Sequence, residues 1–438
     1  MKPFFWLLIV SIFCIPSITV AQSINLDQLI SKALENNAQI QVSKFNEEQT
    51  NQEINEVKAR ARPQVNLAGD YKRYLKIPGQ VIDASAFGGP EGTYQVLAFG
   101  LPYNLSTTLQ VTQAVYNPAL NIGLKMAKIS QEISQIQTVK SKEDVAYNVT
   151  VAYYNLQTIS QQASFLKSNI ASLDKMINIT DLLYKSQLGQ AIDSDRLKIT
   201  QSQLTSQLES VESAKMDIIN VLKLLTGISQ SESLIVDVNS AINPTDPSFY
   251  SNNSGKHTDL LLLDKQLSIN HLSQKNTTAS FLPSLSAYGI ANSTFFGQGG
   301  ENSVFKQAPG YWLGLQLNWN IYDGNARKSK LAQQKLESQK LAVQTFQVKE
   351  SIQMNIDNAS RKFRVETSNL ETTKAQVELA EKVYNQTQLQ YKEGTSGLTE
   401  VIQAENSVRE AQNNYLNALV NLRTAELDWK KASGNILK

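Results

Sequence analysis

Residues Tyr391–Glu405, YKEGTSGLTEVIQAE, break a long run of sequence that is otherwise patterned as helix. Gly394 and Gly397 can adopt the positive φ that ends one helix and starts the next. The segment therefore predicts a tight turn between two helices. We expect the hydroxyl of Thr395 or Thr399 to cap the second helix.

A similar segment, YKSQLGQAIDSDRLK, occupies Tyr184–Lys198, which lies 207 positions earlier (391 − 184). In both segments an acid, Asp193 or Glu400, falls in the first turn of the second helix. A carboxylate in that position interacts favourably with the helix dipole. The sequence therefore predicts a matched pair of helical hairpins.

The two segments belong to a duplication that extends over most of the chain. Apolar, aromatic, acidic and glycine positions recur 207 residues apart, and the pairs are Val145 and Ile352, Val149 and Ile356, Tyr184 and Tyr391, Asp193 and Glu400, and Gly227 and Gly434. Earlier in the copies Leu109 matches Leu315 at a shift of 206, and Pro63 matches Pro283 at a shift of 220. The first copy therefore contains an insertion of 14 residues (220 − 206) between Pro63 and Leu109.

Two copies of one unit follow from these matches. We place the first copy at 22–227 and the second at 257–438, joined by a linker at 228–256 that is rich in Ser, Asn and Pro. Each copy is expected to contain a helix, a strand, a loop, a strand, a very long helix, a turn and a closing helix. The predicted fold class is mainly α, with a smaller β component.

The first residues predict export from the cytoplasm. Residues 1–21 combine Lys2, the apolar run Phe4–Cys14 and a small-residue site before Gln22, which is typical of a cleaved signal peptide. Cys14 is the only cysteine, so neither a disulfide nor a lipid anchor is expected. The net charge is +2 with acids and bases interspersed, which argues against a nucleic-acid partner.

The predicted helices need partners along their whole length. The helix over 326–392 contains no proline or glycine and would span roughly 100 Å, so it is stable only within a bundle or coiled coil. The closing helix carries two columns with a seven-residue spacing, Val401, Val408, Tyr415, Leu422 and Trp429, and Ala404, Ala411, Ala418, Ala425 and Ala432. In the first copy the alanine column becomes Leu197, Leu204, Val211, Ile218 and Leu225. Both patterns predict coiled-coil seams, with unequal packing in the two copies.

Four strands are predicted, near 64–75, 105–116, 283–296 and 311–322. In the last one an apolar series alternates with mostly polar or small residues, and its members are Tyr311, Leu313, Leu315, Leu317, Trp319 and Ile321. This alternation is typical of a membrane β-barrel strand with one face to lipid and one to water. The segments Phe87–Gly92 and Gly297–Gly310 are expected to form outer loops.

The number of strands predicts an oligomer. Four strands cannot close a barrel, for which about eight are needed, and open edges in lipid leave backbone groups unpaired. A ring of identical subunits supplies the missing strands. Two copies would give eight strands and a filled interior, whereas three would give twelve and a lumen.

In the order of these features the sequence resembles the TolC-type outer-membrane efflux proteins, over nearly the whole exported chain. The resemblance rests on the two turn segments, on Asn36-Asn37, and on the strand starts ARPQVNL and FLPSLSAY. It also rests on QAVYNPALN and NWNIYDGNARKSK, where strand passes into helix. The repetition of these motifs in the same order is more specific than any one of them.

The resemblance implies a homotrimer in the outer membrane, with a twelve-stranded β-barrel that continues into a long α-helical barrel in the periplasm. The linker would lie at the equator of that helical barrel. The tunnel would dock on a periplasmic adaptor, or membrane fusion protein, and on an inner-membrane pump. Such a protein is a passive channel, so no enzymatic activity and no cofactor are expected.

The resemblance also assigns roles to the turns. Tyr391 and Asp193 match a tyrosine and an aspartate that bond to each other in the family, whereas Ser396 replaces an arginine that would add a salt bridge. Two aspartate rings at the pore constriction fall on Glu400 and Gln403, so one acidic ring is expected. At the adaptor-docking tips a Gly-Leu pair of the family becomes Gln187-Leu188, followed by Gly189, in the first turn, and Gly394-Thr395, with Gly397, matches in the second.

Other interpretations stay open from the residues alone. Glu400 and Asp193 also fit ordinary acids at helix N-termini. A secreted periplasmic coiled-coil scaffold or adaptor, with its strands in a soluble sheet, is the alternative to a channel, and a type I secretion duct is the alternative to a drug or metal efflux duct. His257 and His271 lie 14 residues apart with no cysteine and no carboxylate at ligand spacing, so no metal site is predicted.

Overall fold

The computed structural model describes residues 23–238, 257–298 and 304–437. The predicted signal peptide and residues 239–256 of the predicted linker lie outside this part of the chain. The helices are α1 (Leu26–Asn36), α2 (Ala38–Ala59), α3 (Pro118–Lys185), α4 (Ala191–Thr226), α5 (Thr258–Ala279), α6 (Ala326–Lys392) and α7 (Leu398–Ala432). The strands are β1 (Gln64–Arg73), β2 (Gly79–Asp83), β3 (Tyr94–Ala98), β4 (Tyr103–Tyr116), β5 (Ser284–Gln298) and β6 (Val304–Asn318).

The predicted duplicated order of helix, strand, strand, long helix and closing helix is confirmed in both copies. The copies differ in the connection between their two main strands. In the first copy β2 and β3 pair as an antiparallel hairpin between β1 and β4. In the second copy only residues 299–303 separate β5 from β6. The hairpin falls in the interval where the shift between the copies predicts an insertion.

The described residues belong to two compact units. The helical unit lies within Met1–Val42, Lys140–His257 and Ser351–Lys438, and the sheet unit lies within Ser43–Val139 and Thr258–Glu350. Among the described helices, none combines the length and the apolar character that crossing a membrane requires.

In the helical unit, asparagine side chains cap the starts of the first two helices. Asn25 caps α1, because its side chain accepts from Gln28 N while the Gln28 side chain accepts from Asn25 N. Asn37 separates α1 from α2. Its Oδ1 accepts from Gln39 N at 2.9 Å, and its Nδ2 donates to Leu225 O of α4 at 2.8 Å. Asn37 therefore starts α2 and also attaches that start to the end of α4.

Besides the β2–β3 hairpin, the sheet unit contains a four-stranded antiparallel sheet in the order β1-β4-β5-β6. The register aligns Leu67 with Leu109, Leu109 with Ala291, and Ala291 with Tyr311. Residues two apart along a strand share a face, so the apolar alternation of each strand continues on one face across the sheet. Strands β1 and β6 are its edges.

The limits of β6 differ from those expected. The strand begins at Val304 rather than near 311 because β5 continues to Gln298 and pairs with it, so most of the expected loop Gly297–Gly310 is strand. The strand ends at Asn318, and Trp319 and Ile321 lie beyond it. Here Asn320 O accepts from Arg327 Nη2 at 2.8 Å, and Trp319 Nε1 donates to Phe281 O at 3.0 Å. Beyond the last backbone pair of the strand, side-chain hydrogen bonds from Trp319 and Arg327 hold this segment.

Candidate functional site

Two helix turns form the candidate site, and both lie in the helical unit. The boundaries of the second turn, Lys392 and Leu398, fall 207 residues after Lys185 and Ala191, which bound the first. The two turns close with the same backbone hydrogen bonds. In the first turn Gln187 N donates to Tyr184 O at 2.9 Å, and in the second Gly394 N donates to Tyr391 O at 3.0 Å.

The predicted positive φ occurs at only one of the two glycines. Gly394 has φ 75° at the end of α6, and Gln187 has φ 63° at the matching end of α3. Gly397 has φ −87°, because it caps α7 in an extended conformation. The first turn therefore places a residue with a side chain in the left-handed region, which favours glycine.

The capping expectation for Thr395 and Thr399 is wrong. Gly397 caps α7 without a side-chain hydrogen bond. Thr395 Oγ1 instead donates to Gln390 O at 3.1 Å, so its hydroxyl closes the end of α6 rather than the start of α7. Glu400 lies in the first turn of α7, where its charge interacts favourably with the helix dipole.

The predicted acids take equivalent backbone positions in different surroundings. Asp193 and Glu400 are both in the first turn of a helix. A Cβ built on Gly397 would lie 2.8 Å from Glu400 Oε2, so the Glu400 carboxylate folds back towards the N-terminus of α7. Glu400 and Gln403 are exposed, whereas Asp193 is half-buried.

Tyr391 is buried with 7 % of its surface exposed and packs in a core formed by four helices. Burial raises the pKa of the Tyr391 hydroxyl, and the charge of Asp193 raises it further, against the opposing effect of a hydrogen bond with Thr180. Thr180 is fully buried, and its Oγ1 donates to Met176 O at 2.7 Å. The structure thus brings Tyr391 close to Asp193 and adds Thr180 as a contact that the sequence did not indicate.

The predicted docking residues lie around the two turns. Leu188 is a large apolar residue with 78 % of its surface exposed, and Gly394, Thr395 and Gly397 are exposed as well. Gly189 is more confined, since a Cβ there would lie 3.2 Å from Leu183 Cβ. An exposed leucine at the tip of a hairpin offers an apolar contact to a partner.

A column of mostly polar residues on α7 was missed by sequence reasoning. It follows the predicted alanine column by one position, its members are 0–5 % exposed, and they are Glu405, Gln412, Leu419 and Glu426. The seven-residue spacing was the available signal. The burial of this column was not predicted because three of its four members are polar, and polar residues beside a coiled-coil seam usually face water.

Each polar member of this column has a partner. Arg409 Nε donates to Glu405 Oε2 at 3.1 Å, and Asn169 Nδ2 donates to Gln412 Oε1 at 2.9 Å. Arg423 Nη1 donates to Glu426 Oε2 at 2.8 Å. Burial raises the pKa of Glu405, although Arg409 opposes the shift. The column therefore provides polar pairs inside the bundle rather than a solvent-facing stripe.

Among the described residues no cluster of His, Cys, Asp and Glu has the arrangement of a metal site. The site thus consists of a buried tyrosine beside a half-buried acid, exposed polar groups at the start of α7, and two exposed hairpin tips. Residues of these kinds can hold two hairpins together and present a charged rim. They do not form a pair of nucleophile and base.

Comparison with known proteins agrees with this architecture. A family model described as outer membrane efflux protein matches residues 29–227 and 274–435. No curated protein matches the chain.

Solved structures share the fold over most of their length. The outer-membrane channel OprN has a TM-score of 0.71 and 15 % identity, with 94 % of this chain and 90 % of that chain covered. The outer membrane protein VceC from Vibrio cholerae has a TM-score of 0.69 and 14 % identity, covering 93 % and 96 %. The open state of the MtrE outer membrane channel of Neisseria gonorrhoeae has a TM-score of 0.70 and 17 % identity, covering 94 % and 89 %. By the extent of the family match, the chain belongs to the outer membrane efflux protein family.

Proposed function

We propose that this protein is the outer-membrane exit duct of a tripartite efflux or type I secretion system. It is a passive channel that crosses the periplasm and docks on a periplasmic adaptor and an inner-membrane pump, which supplies the energy. The observation that carries the proposal is an open four-stranded sheet with an exposed apolar face. The exposed fractions of Leu313, Leu315 and Leu317 in β6 are 89 %, 69 % and 65 %.

The apolar face is the surface that meets lipid. Residues of neighbouring strands align on it, such as Val65 with Val111 and Leu285 with Leu317. The opposite face is polar in part, since Asn292 Nδ2 donates to Thr108 Oγ1 at 2.7 Å. One apolar and one polar face are what a strand needs between a bilayer and an aqueous lumen.

The channel is a homotrimer. Strands β1 and β6 are edges, and an open edge in lipid leaves backbone donors and acceptors without partners. Three copies joined β6 to β1 close a barrel of twelve strands, wide enough for a lumen. The long helices α3, α4, α6 and α7 of the three copies then form the periplasmic tunnel.

The two helix turns form the periplasmic tip. Gln187, Leu188 and Gly189 of the first turn, and Gly394, Thr395 and Gly397 of the second, are the contacts for the adaptor. Tyr391 and Asp193 hold the turns together, while Glu400 and Gln403 line the constriction. Three Glu400 carboxylates around one axis attract cations and repel anions.

Membrane fractionation and gel electrophoresis test the assembly. We expect the protein in the outer-membrane fraction, as a trimer that dissociates on heating, and we expect it to form channels in planar bilayers. Recovery as a soluble monomer would exclude the duct.

A substitution tests the acidic ring. Glu400→Gln should lower the preference of the channel for cations over anions, because it removes one charge from each subunit. Glu393→Gln is the matched control, since Glu393 is an exposed acid of the same turn that is not placed at the constriction. Equal effects of the two substitutions would move the constriction away from Glu400.

A further inference from the structure

The contact around Tyr391 has a counterpart in the sequence that is not formed within the chain. Tyr391 lies with Thr180 and Asp193. At the shift of 207 residues these three positions correspond to Tyr184, Thr387 and Glu400. A tyrosine, a threonine and an acid therefore occur twice, and each set takes its tyrosine from one copy and its threonine and acid from the other.

The second set lacks the burial of the first. Tyr184 has 53 % of its surface exposed and Glu400 is exposed, whereas Tyr391 is 7 % exposed. Thr387 keeps the local geometry of Thr180, because its Oγ1 donates to Val383 O at 2.9 Å as Thr180 donates to Met176 O. Tyr184 and Glu400 are thus uncovered, while the threonine of their set is half-buried with its backbone bond already formed.

The directions of the two sets explain why one is uncovered. Within a chain the tyrosine of the second copy is buried within range of the charge of the acid of the first. The tyrosine of the first copy, Tyr184, and the acid of the second copy, Glu400, are then left for contacts with other chains. A contact that repeats in one direction from copy to copy is heterologous, and it closes only in a ring.

We propose that Tyr184 forms a second contact of this kind between subunits, in which its hydroxyl donates a hydrogen bond to the Glu400 carboxylate of the neighbouring subunit, beside that subunit's Thr387. The occupant is a second copy of this chain. The inference rests on the proposed trimeric channel and adds a specific bond between its subunits at the tip.

Apolar residues near both turns support contact with a second copy. Leu188 and Ile192 of the first copy are 78 % and 52 % exposed, and Leu389 of the second copy is 54 % exposed. Covering such residues is favourable. The hydrogen bond leaves the charge of Glu400 in place, so it fixes the position of the acidic ring without neutralising it.

Cross-linking with a short bismaleimide tests the contact, because a disulfide requires Cα atoms within about 6 Å and the side chains concerned are long. The only natural cysteine is Cys14, in the predicted signal peptide. We expect Tyr184→Cys with Glu400→Cys to give covalent dimers and trimers on a denaturing gel. Tyr391→Cys with Asp193→Cys should remain at the position of a single chain.

Leu182→Cys with Glu400→Cys is the matched control. Leu182 is 64 % exposed, two residues before Tyr184 and on another face of α3. We expect several-fold less dimer and trimer from this pair. Equal yields from both pairs, or a product only within single chains from the Tyr184 pair, would overturn the proposal.

The unsubstituted protein separates failure of the contact from failure of the proposed function. If it runs as a trimer after amine cross-linking while the Tyr184 pair gives no product, the contact is wrong and the channel stands. If it forms no trimer, the proposed assembly is wrong as well. Should the cysteine pair not fold, Tyr184→Phe and Glu400→Gln replace it, and the effects of the two substitutions on conductance should be non-additive.

Discussion

The two helix turns have nearly the same backbone and unlike surroundings. Gln187 and Gly394 both adopt positive φ at the same point of the turn. Yet Tyr391 is buried in the core of the helical unit, and its counterpart Tyr184 is more than half exposed. Duplication has therefore preserved the local conformation, whereas burial depends on which neighbour covers each copy.

The closing helices show the same contrast in packing. Leu204 of α4 is 1 % exposed and fills a position that Ala411 occupies in α7. On α7 the neighbouring position, Gln412, is also buried. At this position α4 therefore buries a large side chain, whereas α7 buries a small side chain beside a polar pair.

Leu204→Ala is expected to have the largest effect, because it gives α4 the small residue of α7 without the neighbours that fill the space. A cavity of this kind lowers the free energy of unfolding by about 2–5 kcal/mol. Thermal unfolding followed by circular dichroism measures it. Leu182→Ala, at an exposed position, should stay within about 0.5 kcal/mol of the parent protein. A similar change in both variants would contradict the packing difference.

Exchanging the turn residues tests the backbone equivalence. Gly394→Gln places a side chain at φ 75° and should destabilise the protein by roughly 1–2 kcal/mol. Gln187→Gly should stabilise the protein by a smaller amount. Glycine relieves the strain of the left-handed conformation, but it also loses more chain entropy on folding, which offsets part of the gain. The thermal midpoints of the two variants should therefore move in opposite directions. Movement in the same direction would show that the turns are not equivalent.

Tyr391→Phe tests the buried member of the tyrosine pair. Loss of its hydrogen bond should cost about 1 kcal/mol and weaken the hold between the turns, so conductance in planar bilayers should rise. Asp193→Ala should act in the same direction. Tyr94→Phe, an exposed tyrosine of β3, serves as the control. Conductance that stays at the parent value in both variants would remove these residues from the gate.

Tyr384→Phe should have the smallest effect at neutral pH, below about 1 kcal/mol, and a visible one in alkali. Burial, followed by the charge of Glu405, raises the pKa of Tyr384 from 10.0 to about 12. Between pH 10 and 12 the folded state keeps this proton, whereas the unfolded chain loses it. The contribution of Tyr384 to the free energy of unfolding is therefore fully present below pH 10 and is lost as the pH rises towards 12. The thermal midpoint of the variant should fall less over this range. An unchanged slope would contradict the assigned pKa.

The predictable part of the fold has local causes. Glycine placement, seven-residue spacing and strand alternation predicted the turns, the seam of α7 and the four main strands. The position of Tyr391 next to Asp193 was expected only through the family resemblance. Sequence periodicity reports which face of an element is apolar, and that was enough for the arrangement of the elements.

The missed features depend on distant partners. Glu405 is buried because the bundle covers it and the partly exposed Arg409 pairs with it, and nothing in the residue type of Glu405 indicates that cover. Gln187 adopts positive φ because the turn imposes it. The end of β6 at Asn318 follows from its partner, because β5 begins at Ser284, which pairs with Asn318.

Arg327 has a mechanical consequence for α6. In the first helical turn it binds two separate segments, through Nη1 to Ser280 O at 2.8 Å after α5, and through Nη2 to Asn320 O at 2.8 Å and Nε to Asp323 Oδ2 at 2.7 Å in the connection before α6. At the same point of the first copy, Asn117 caps α3 through Ala119 N. Rotation of α6 about its axis at this end would therefore break several hydrogen bonds of Arg327. Any movement of its other end must be taken up by bending along the helix.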